Sequence, residues 1–278
     1  MVLFRFPAFF MHYLTESFRP FCIFVPMLEK NEIIQSALQN LKIESLNPMQ
    51  EAALEQGTGR KDVILLSPTG SGKTLAYLLP LLLILKPNDD SVQVLILVPS
   101  RELALQIDSV FKAMGTPWKT CCCYGGHPIA EEKKSIVGNH PAIIIGTPGR
   151  ITDHLSKGNF NPETIETLII DEFDKSLEFG FHDEMAEIIT QLPGLKKRIL
   201  LSATDAEEIP EFTGLNRTVK LDFLSDASEE QGARLKLMKV LSPSKDKIDT
   251  LYNLLCTCLL YTSPSPRDRS LSRMPSSA

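Results

Sequence analysis

The residues best suited to chemistry form segment 67–74, Ser-Pro-Thr-Gly-Ser-Gly-Lys-Thr, which follows an apolar run and precedes a stretch with helical spacing. A strand, a glycine-containing loop ending in Gly-Lys-Thr and a helix together describe a phosphate-binding P-loop. Gly70 and Gly72 let consecutive backbone N–H groups point at phosphate oxygens, and the helix start adds its positive dipole end. We expect Lys73 to reach the terminal phosphates and Thr74 to hold Mg²⁺. The predicted nucleotide-binding residues of the loop are Ser67, Thr69, Gly70, Ser71, Gly72, Lys73 and Thr74.

A second informative segment is the apolar run 168–170, which ends in Asp171-Glu172-Phe173-Asp174. In a P-loop enzyme the first aspartate of such a strand holds Mg²⁺, and the adjacent glutamate can orient and deprotonate the attacking water. A positioned base of this kind contributes roughly 10²–10⁴-fold in rate. An acidic strand end alone is usually a solvated turn, but its pairing with a P-loop favours catalysis. We therefore predict that Asp171 binds the metal and that Glu172, Asp171 and Lys73 are catalytic.

Length, composition and charge narrow the class of protein. The 278 residues suffice for a large domain or for the beginning of a two-domain protein, and 43% hydrophobic with 23% charged residues is typical of a globular chain. The net charge is −5, so contact with nucleic acid requires a local surface. Six cysteines, three of them consecutive at 121–123, offer neither a disulfide framework nor the CxxC spacing of a zinc site. We expect a reducing, cytoplasmic location, no membrane span, and a buried strand at the triple cysteine.

Alternation of apolar strands with helical segments predicts an α/β fold, a parallel sheet with helices on both faces. Two short helices are expected between residues 28 and 56, before the P-loop strand. Further strands are predicted at 92–98, 119–124, 142–145, 168–170, 198–201 and 219–221. Further helices are predicted at 101–114, 129–136, 149–155, 183–192 and 206–212.

Composition divides the chain into five parts. Residues 1–26 are rich in aromatics and precede a methionine, and we interpret them as a non-native or disordered extension. Residues 27–224 are predicted to form the nucleotide-binding domain, 225–233 a polar linker and 234–257 the truncated start of a second domain. Residues 258–278 are rich in Ser, Pro and Arg and resemble translated adapter read-through, so we assign them no function.

Several segments together resemble the DEAD-box ATP-dependent RNA helicase family. The acidic segment 171–174 is similar to the Asp-Glu-Ala-Asp box of that family. The other matches, in family order, are 46–50 (Leu-Asn-Pro-Met-Gln), 98–104 (Val-Pro-Ser-Arg-Glu-Leu-Ala), 125–126 (Gly-Gly), 147–150 (Thr-Pro-Gly-Arg) and 202–204 (Ser-Ala-Thr). The resemblance covers residues 28–257 and implies a RecA-like P-loop NTPase domain followed by the start of a second RecA-like domain.

The resemblance also implies roles for the matching residues. Gln50 would hydrogen-bond adenine and favour ATP as the cofactor, with Mg²⁺ held by Thr74 and Asp171. One RNA strand would be held by its sugar-phosphate backbone, without reading of its sequence. The implied RNA-binding residues are Pro99, Arg101, Gly126, Thr147 and Arg150. The residues implied to couple the nucleotide site to domain movement are Asp174, Ser202 and Thr204.

Three positions depart from the family pattern. Ser67 takes the place of the first P-loop glycine, Phe173 replaces a small alanine, and Lys42-Ile43 stands where the adenine-reading motif opens with Gly-Phe. In the family, the second domain supplies arginine fingers through a His-Arg-x-Gly-Arg-x-x-Arg segment. That segment does not occur in the 278-residue sequence. Because an arginine finger is worth about 10³–10⁵-fold in rate, we expect this chain alone to hydrolyse ATP very slowly. In the intact protein we expect RNA-stimulated ATP hydrolysis with local duplex unwinding.

Two alternatives remain open. A DNA helicase or another P-loop NTPase would share the phosphate chemistry, and stimulation of ATP hydrolysis by RNA rather than DNA separates these from an RNA helicase. A non-enzymatic nucleotide- or RNA-binding protein would keep the fold but would tolerate Glu172→Gln without loss of function.

Overall fold

The computed structural model describes residues 32–205, 209–224, 240–242 and 247–257. The N-terminal extension, the polar linker and the tail inferred from composition therefore lie outside the described residues. The chain divides into two units, Met1–Glu230 and Gln231–Ala278. Within the part of the second unit that is described, one helix spans Ile248–Thr257.

Seven parallel strands form one sheet in the order β3-β4-β2-β5-β6-β1-β7. Their bounds are β1 Val63–Leu66, β2 Val94–Leu97, β3 Thr120–Cys123, β4 Ile143–Gly146, β5 Thr167–Ile170, β6 Lys197–Ser202 and β7 Val219–Asp222. Strands β2, β4 and β5 are buried at every position, which explains their continuous apolar sequences. The edge strands β3 and β7 alternate in burial instead. The predicted parallel α/β fold is confirmed.

Helices cover both faces of this sheet. The first face packs against α1 (residues 32–40), α2 (Pro48–Gly57), α3 (Lys73–Ile84) and α4 (Arg101–Ala113). The second face packs against α5 (Ile129–Asn139), α6 (Pro148–Ser156), α7 (Phe173–Glu178) and α8 (His182–Thr190). The helix of the second unit is α9 (Ile248–Thr257). Among the described residues, no helix is long and apolar enough to cross a lipid bilayer.

Two helix predictions need correction. Helix α7 was not predicted, because its six residues are too few to show the apolar periodicity of a helix. The helix predicted at 206–212 is wrong where the structure describes it, since residues 209–210 are irregular and Glu211–Thr213 form a single 3-10 turn. Pro210 lacks a backbone N–H and fixes φ, so it begins a short turn rather than continuing a helix.

The triple cysteine forms most of β3, as predicted. Cys121 and Cys123 are buried, whereas Cys122 is half-buried, which follows the two-residue period of a strand. All three thiols are free. Burial raises the pKa of Cys122 to about 12, so this thiol is a packing group rather than a nucleophile.

Candidate nucleotide site and nucleic-acid interface

The strand order sorts the predicted site residues into two neighbouring groups. Because the strands are parallel, the loops that follow them lie at one edge of the sheet. The loops after β1, β5 and β6 carry the predicted nucleotide and coupling residues, and these strands are adjacent. The loops after β2, β3 and β4 carry the predicted RNA residues and form the other half of the edge. The two groups meet where β2 pairs with β5.

The P-loop turns from β1 into α3 through two glycines in the left-handed region. Gly70 has φ +80° and Gly72 has φ +89°, and Gly72 is the N-cap of α3. A Cβ at Gly72 would lie 2.6 Å from Nε2 of Gln50 on α2. The left-handed backbone angle therefore favours glycine at position 72, and a Cβ there would also displace the Gln50 amide.

Lys73 and Ser67 make hydrogen bonds within this loop. Lys73 Nζ donates to the carbonyl oxygens of Ser67 at 2.5 Å and Pro68 at 2.8 Å. The buried Ser67 hydroxyl donates to Ser71 Oγ at 2.7 Å, so the serine that replaces glycine bridges the loop. Burial lowers the pKa of Lys73, and the nearby Asp171 carboxylate opposes that effect. The ammonium already lies against the loop that would cradle phosphate.

Gln50 joins α2 to the P-loop. Its Oε1 accepts from Asn47 N at 3.1 Å, and Gln50 N donates to Asn47 Oδ1 at 2.9 Å, which is a capping box. Gln50 Nε2 donates to Gly72 O at 3.3 Å, and Asn47 Nδ2 donates to Ser71 O at 3.0 Å. Each polar atom of a glutamine amide can make one more hydrogen bond. Adenine recognition by Gln50 thus stays a prediction, beside a loop-supporting role that the sequence did not indicate.

Asp171 follows β5 and is held by two donors. The hydroxyl of the buried Tyr77, on α3, donates to Asp171 Oδ2 at 3.1 Å, and Glu172 N donates to Oδ1 at 2.9 Å. Burial raises the pKa of Asp171 to about 6, while the two hydrogen bonds and Lys73 pull in the opposite direction. Tyr77 was not predicted as a site residue. Tyr77 follows Thr74 by three residues, which places the two side chains on the same face of α3.

Glu172 occupies a strained backbone position. Its φ of +48° is left-handed, which is uncommon for a residue other than glycine, and it is the N-cap of α7. Lys175 Nζ donates to Glu172 Oε1 at 2.8 Å. Such strain is typical of functional sites, where the surrounding structure holds one residue in a required orientation.

A cleft of about 400 Å³ brings the P-loop and both acidic residues together. Its lining residues are Thr69, Gly70, Gly72, Lys73, Thr74, Leu103, Gln106, Asp171 and Glu172. Leu103 and Gln106 belong to α4 and were not predicted, because only the strand order brings that helix over the loop. The cleft brings together the residues predicted to bind phosphate, to hold a metal ion and to act as general base.

Asp174 contacts the segment after β6. Thr204 Oγ1 donates to Asp174 Oδ2 at 3.1 Å, and Ala203 N donates to the same oxygen at 3.3 Å. Ser202 Oγ donates to Thr204 O at 2.6 Å. The three residues predicted to act in coupling therefore form one hydrogen-bonded chain.

Phe173 points away from the nucleotide cleft. It is 2% exposed, belongs to the core of the second sheet face, and lines a cavity of about 260 Å³ together with Leu200 and Ser202. The substitution of a bulky ring for the usual alanine is therefore accommodated in the core, and Asp171 and Glu172 keep their places in the cleft.

The predicted RNA residues surround the loop of residues 124–128, which joins β3 to α5. Gly126 has φ +103°, and Nη1 of the exposed Arg101 lies 3.9 Å from where a Cβ at Gly126 would sit. Thr147 is the N-cap of α6, and its N–H donates to Cys123 O at 3.1 Å. Pro99 follows β2 and is buried, so its side chain does not reach the surface.

Arg150 differs from the other predicted RNA residues in its orientation. Its Nε donates to Tyr124 O at 3.0 Å and its Nη2 donates to His127 O at 2.6 Å. Its side chain is only 12% exposed. The guanidinium binds backbone carbonyls of the 124–128 loop instead of facing solvent. Residue type and spacing alone do not predict this arrangement.

A parallel sheet with this P-loop cleft defines a nucleotide-binding domain of the RecA-like class. The family model for DEAD/DEAH box helicases matches residues 47–212. The chain therefore belongs to the DEAD/DEAH box helicase family, as the sequence resemblance implied.

Individual relatives agree with this assignment. The ATP-dependent RNA helicase CshA of Listeria monocytogenes is 34% identical over 181 residues, which are 64% of this chain and 35% of that protein. A DEAD box protein of Methanococcus jannaschii has a TM-score of 0.65 at 26% identity, covering 81% of this chain and 61% of that one. The DEAD-box helicase Mss116 bound to ssRNA and UDP-BeF has a TM-score of 0.63 at 25% identity, covering 69% and 43%. The chain spans 35% to 45% of the length of the first curated relatives it matches.

Proposed function

We propose that this chain is the ATP-binding part of an ATP-dependent RNA helicase. The complete enzyme would bind ATP with Mg²⁺, hold one RNA strand by its backbone, and couple hydrolysis to local unwinding of a short duplex. The observation that carries the proposal is the single cleft lined by the P-loop, Asp171 and Glu172. Further support comes from relatives named as ATP-dependent RNA helicases and from the similar Mss116 complex with ssRNA and UDP-BeF.

The donor groups of the cleft fit a nucleotide triphosphate with its cation. Lys73 Nζ now bonds two carbonyl oxygens, and it can exchange them for phosphate oxygens without leaving the loop. Thr74 and Asp171 offer the hard oxygen ligands that Mg²⁺ prefers. A buried carboxylate such as Asp171 is costly to ionise alone, so a bound cation offsets that cost. Mg²⁺, when bound, neutralises charge on the phosphates.

Glu172 is the proposed general base. It lines the cleft beside Lys73 and Asp171, and its ion pair with Lys175 orients the carboxylate. In this role it positions a water molecule near the terminal phosphate and accepts its proton. The Glu172 side chain is about one quarter exposed, so water can reach it.

The proposed RNA surface lies next to the cleft on the same edge of the sheet. Arg101 supplies an exposed positive charge, and the first turn of α6 supplies its positive dipole end and the N–H of Gly149, since Thr147 N donates to Cys123 O and Pro148 has no N–H. Gly126 allows close approach of the RNA backbone, while Arg150 fixes the loop that carries it. Contacts of this kind position RNA without reading sequence.

Glu172→Gln in the complete protein is the test of this function. We expect binding of a non-hydrolysable ATP analogue to persist, while RNA-stimulated ATP hydrolysis falls by about 10²–10⁴-fold. Glu178→Gln, at the exposed end of α7, is the matched control and should change neither quantity. Unchanged hydrolysis in the Glu172 variant would contradict the general-base role, whereas absence of hydrolysis in the complete wild-type protein would contradict the enzyme assignment and favour a non-enzymatic binding protein. Equal stimulation by DNA and RNA would favour the broader class of P-loop helicases.

A further inference from the structure

A buried carboxylate lies beneath the 124–128 loop. Glu132 is in the first turn of α5 and is 3% exposed, although its neighbour Glu131 is exposed. A buried charge is costly unless donors surround it, so its contacts show what it holds in place.

One carboxylate oxygen of Glu132 binds both ends of the loop. Tyr124 N donates to Glu132 Oε1 at 2.8 Å, and His127 Nε2 lies 2.8 Å from the same oxygen. The rings of Tyr124 and His127 also contact edge to face, with centroids 4.8 Å apart. Two residues of the loop that carries Gly126 therefore contact the same oxygen atom, Glu132 Oε1.

The other oxygen connects the loop to α6. Glu132 Oε2 lies 2.7 Å from His154 Nε2 and 3.4 Å from Arg150 Nε. The fully buried His154 has Asn159 Nδ2 at 3.0 Å from its Nδ1. These contacts fit a ring in which Nε2 donates to Glu132 and Nδ1 accepts from the Asn159 amide.

A metal ion is the competing explanation for this cluster. Ligand atoms of Cys123, Glu132 and His154 lie within 4.8 Å of one another. However, both oxygens of Glu132 and both ring nitrogens of His154 already have hydrogen-bond partners. The Arg150 guanidinium also supplies the positive charge next to the carboxylate. The geometry therefore favours a hydrogen-bonded support over a cation site.

We propose that Glu132 is a positioning residue for RNA binding. It holds the 124–128 loop against α6, so that Gly126, the adjacent Arg101 and the N-terminus of α6 form one phosphate-binding surface. This inference rests on the proposed function and adds to it a buried residue that touches no RNA. Without the carboxylate, the buried His154 Nε2 loses its partner, Arg150 loses its ion-pair partner, and the loop loses the hydrogen bond at Tyr124 N.

Four variants of the 278-residue chain separate positioning from general stability. Glu132→Ala removes all four contacts, whereas Glu132→Gln keeps an acceptor for Tyr124 N and His127 but replaces the oxygen facing His154 and Arg150 with an NH₂ group, so it is a partial rescue on the loop side. Glu131→Gln removes one negative charge from the adjacent exposed position and is the matched control. His127→Ala removes only the loop-side contact and leaves His154 in place.

The measurements are affinity for a labelled single-stranded oligouridylate, affinity for an ATP analogue, thermal unfolding, and hydrogen exchange of peptides covering residues 124–128. We expect Glu132→Ala to weaken RNA binding about tenfold, roughly the worth of one hydrogen bond to a charged group. His127→Ala should weaken it less, with unfolding unchanged. Both should speed exchange in the loop and leave ATP-analogue affinity unchanged, while Glu132→Gln recovers part of the RNA affinity relative to Glu132→Ala and Glu131→Gln matches wild type.

Other outcomes overturn the inference in distinct ways. Wild-type RNA affinity in Glu132→Ala means that the loop does not need the carboxylate. Equal loss of RNA and ATP-analogue affinity together with a lower unfolding temperature means a purely structural role. Absence of RNA binding by the wild-type chain contradicts the proposed function, and the inference fails with it.

Discussion

Replacing Asp171 with asparagine should stabilise the nucleotide-free protein at neutral pH. The carboxylate is 3% exposed and its pKa is raised by burial from the ordinary 3.8 to about 6. Folding therefore favours the protonated form. The stability that this group contributes is fully present below pH 3.8 and is lost as the pH rises through about 6.

The size of the effect follows from that pKa difference. At about 1.36 kcal/mol for each pKa unit, ionised Asp171 lowers the free energy of unfolding by about 3 kcal/mol above pH 6. Asp171→Asn does not titrate and keeps an oxygen that can accept from Glu172 N. The advantage of the variant over wild type should therefore grow by about 3 kcal/mol between pH 3.8 and a pH above 6.

Urea denaturation at a series of pH values, without nucleotide or divalent cation, measures this difference. Asp90→Asn, at an exposed turn, is the control for losing one carboxylate charge. A difference between Asp171→Asn and wild type that is constant with pH, or that grows toward low pH, would refute the reasoning. The expected result would mean that this position keeps an acid at a cost in stability, which is typical of a functional site.

Four further substitutions test other parts of the structure. Tyr77→Phe removes a donor to Asp171 Oδ2, so the pKa of Asp171 should rise further; in the same urea series the pH-dependent loss of stability should begin at the same pH as in wild type, extend to a higher pH and be larger in total. Lys197→Met removes three bonds from the ammonium to backbone carbonyls between α2 and β1 and should cost about 2 kcal/mol of unfolding free energy; an unchanged denaturation midpoint would contradict this. Gly72→Ala, at φ +89°, should cost about 1–2 kcal/mol and weaken ATP-analogue binding, whereas Gly138→Ala, inside α5 and open to solvent, should add about 0.5–1 kcal/mol of stability by calorimetry.

The sequence determined the fold class and the chemistry of the nucleotide site. Continuous apolar runs such as 94–97 and 143–145 are typical of buried strands of a parallel sheet, and local order alone indicates a Gly-Lys-Thr loop between strand and helix. Asp171 and Glu172 were predicted as site residues because an acidic strand end that accompanies a P-loop favours a catalytic role. Prediction failed where local signals were weak, as at α7, or where Pro210 overrode helical spacing.

Only the tertiary structure decided which side chains meet. Tyr77 bonds Asp171 from 94 positions away, and Asn47 with Gln50 supports the P-loop from another helix, because the strand order brings these elements together. In the sequence, Glu131 and Glu132 look like two adjacent acids on a helix surface. In the structure Glu131 is exposed, whereas Glu132 is buried and contacts nitrogen atoms of four other residues. Sequence periodicity fixes which residues share a face of one element. Contacts between elements depend on how the sheet is ordered and packed, which no local pattern encodes.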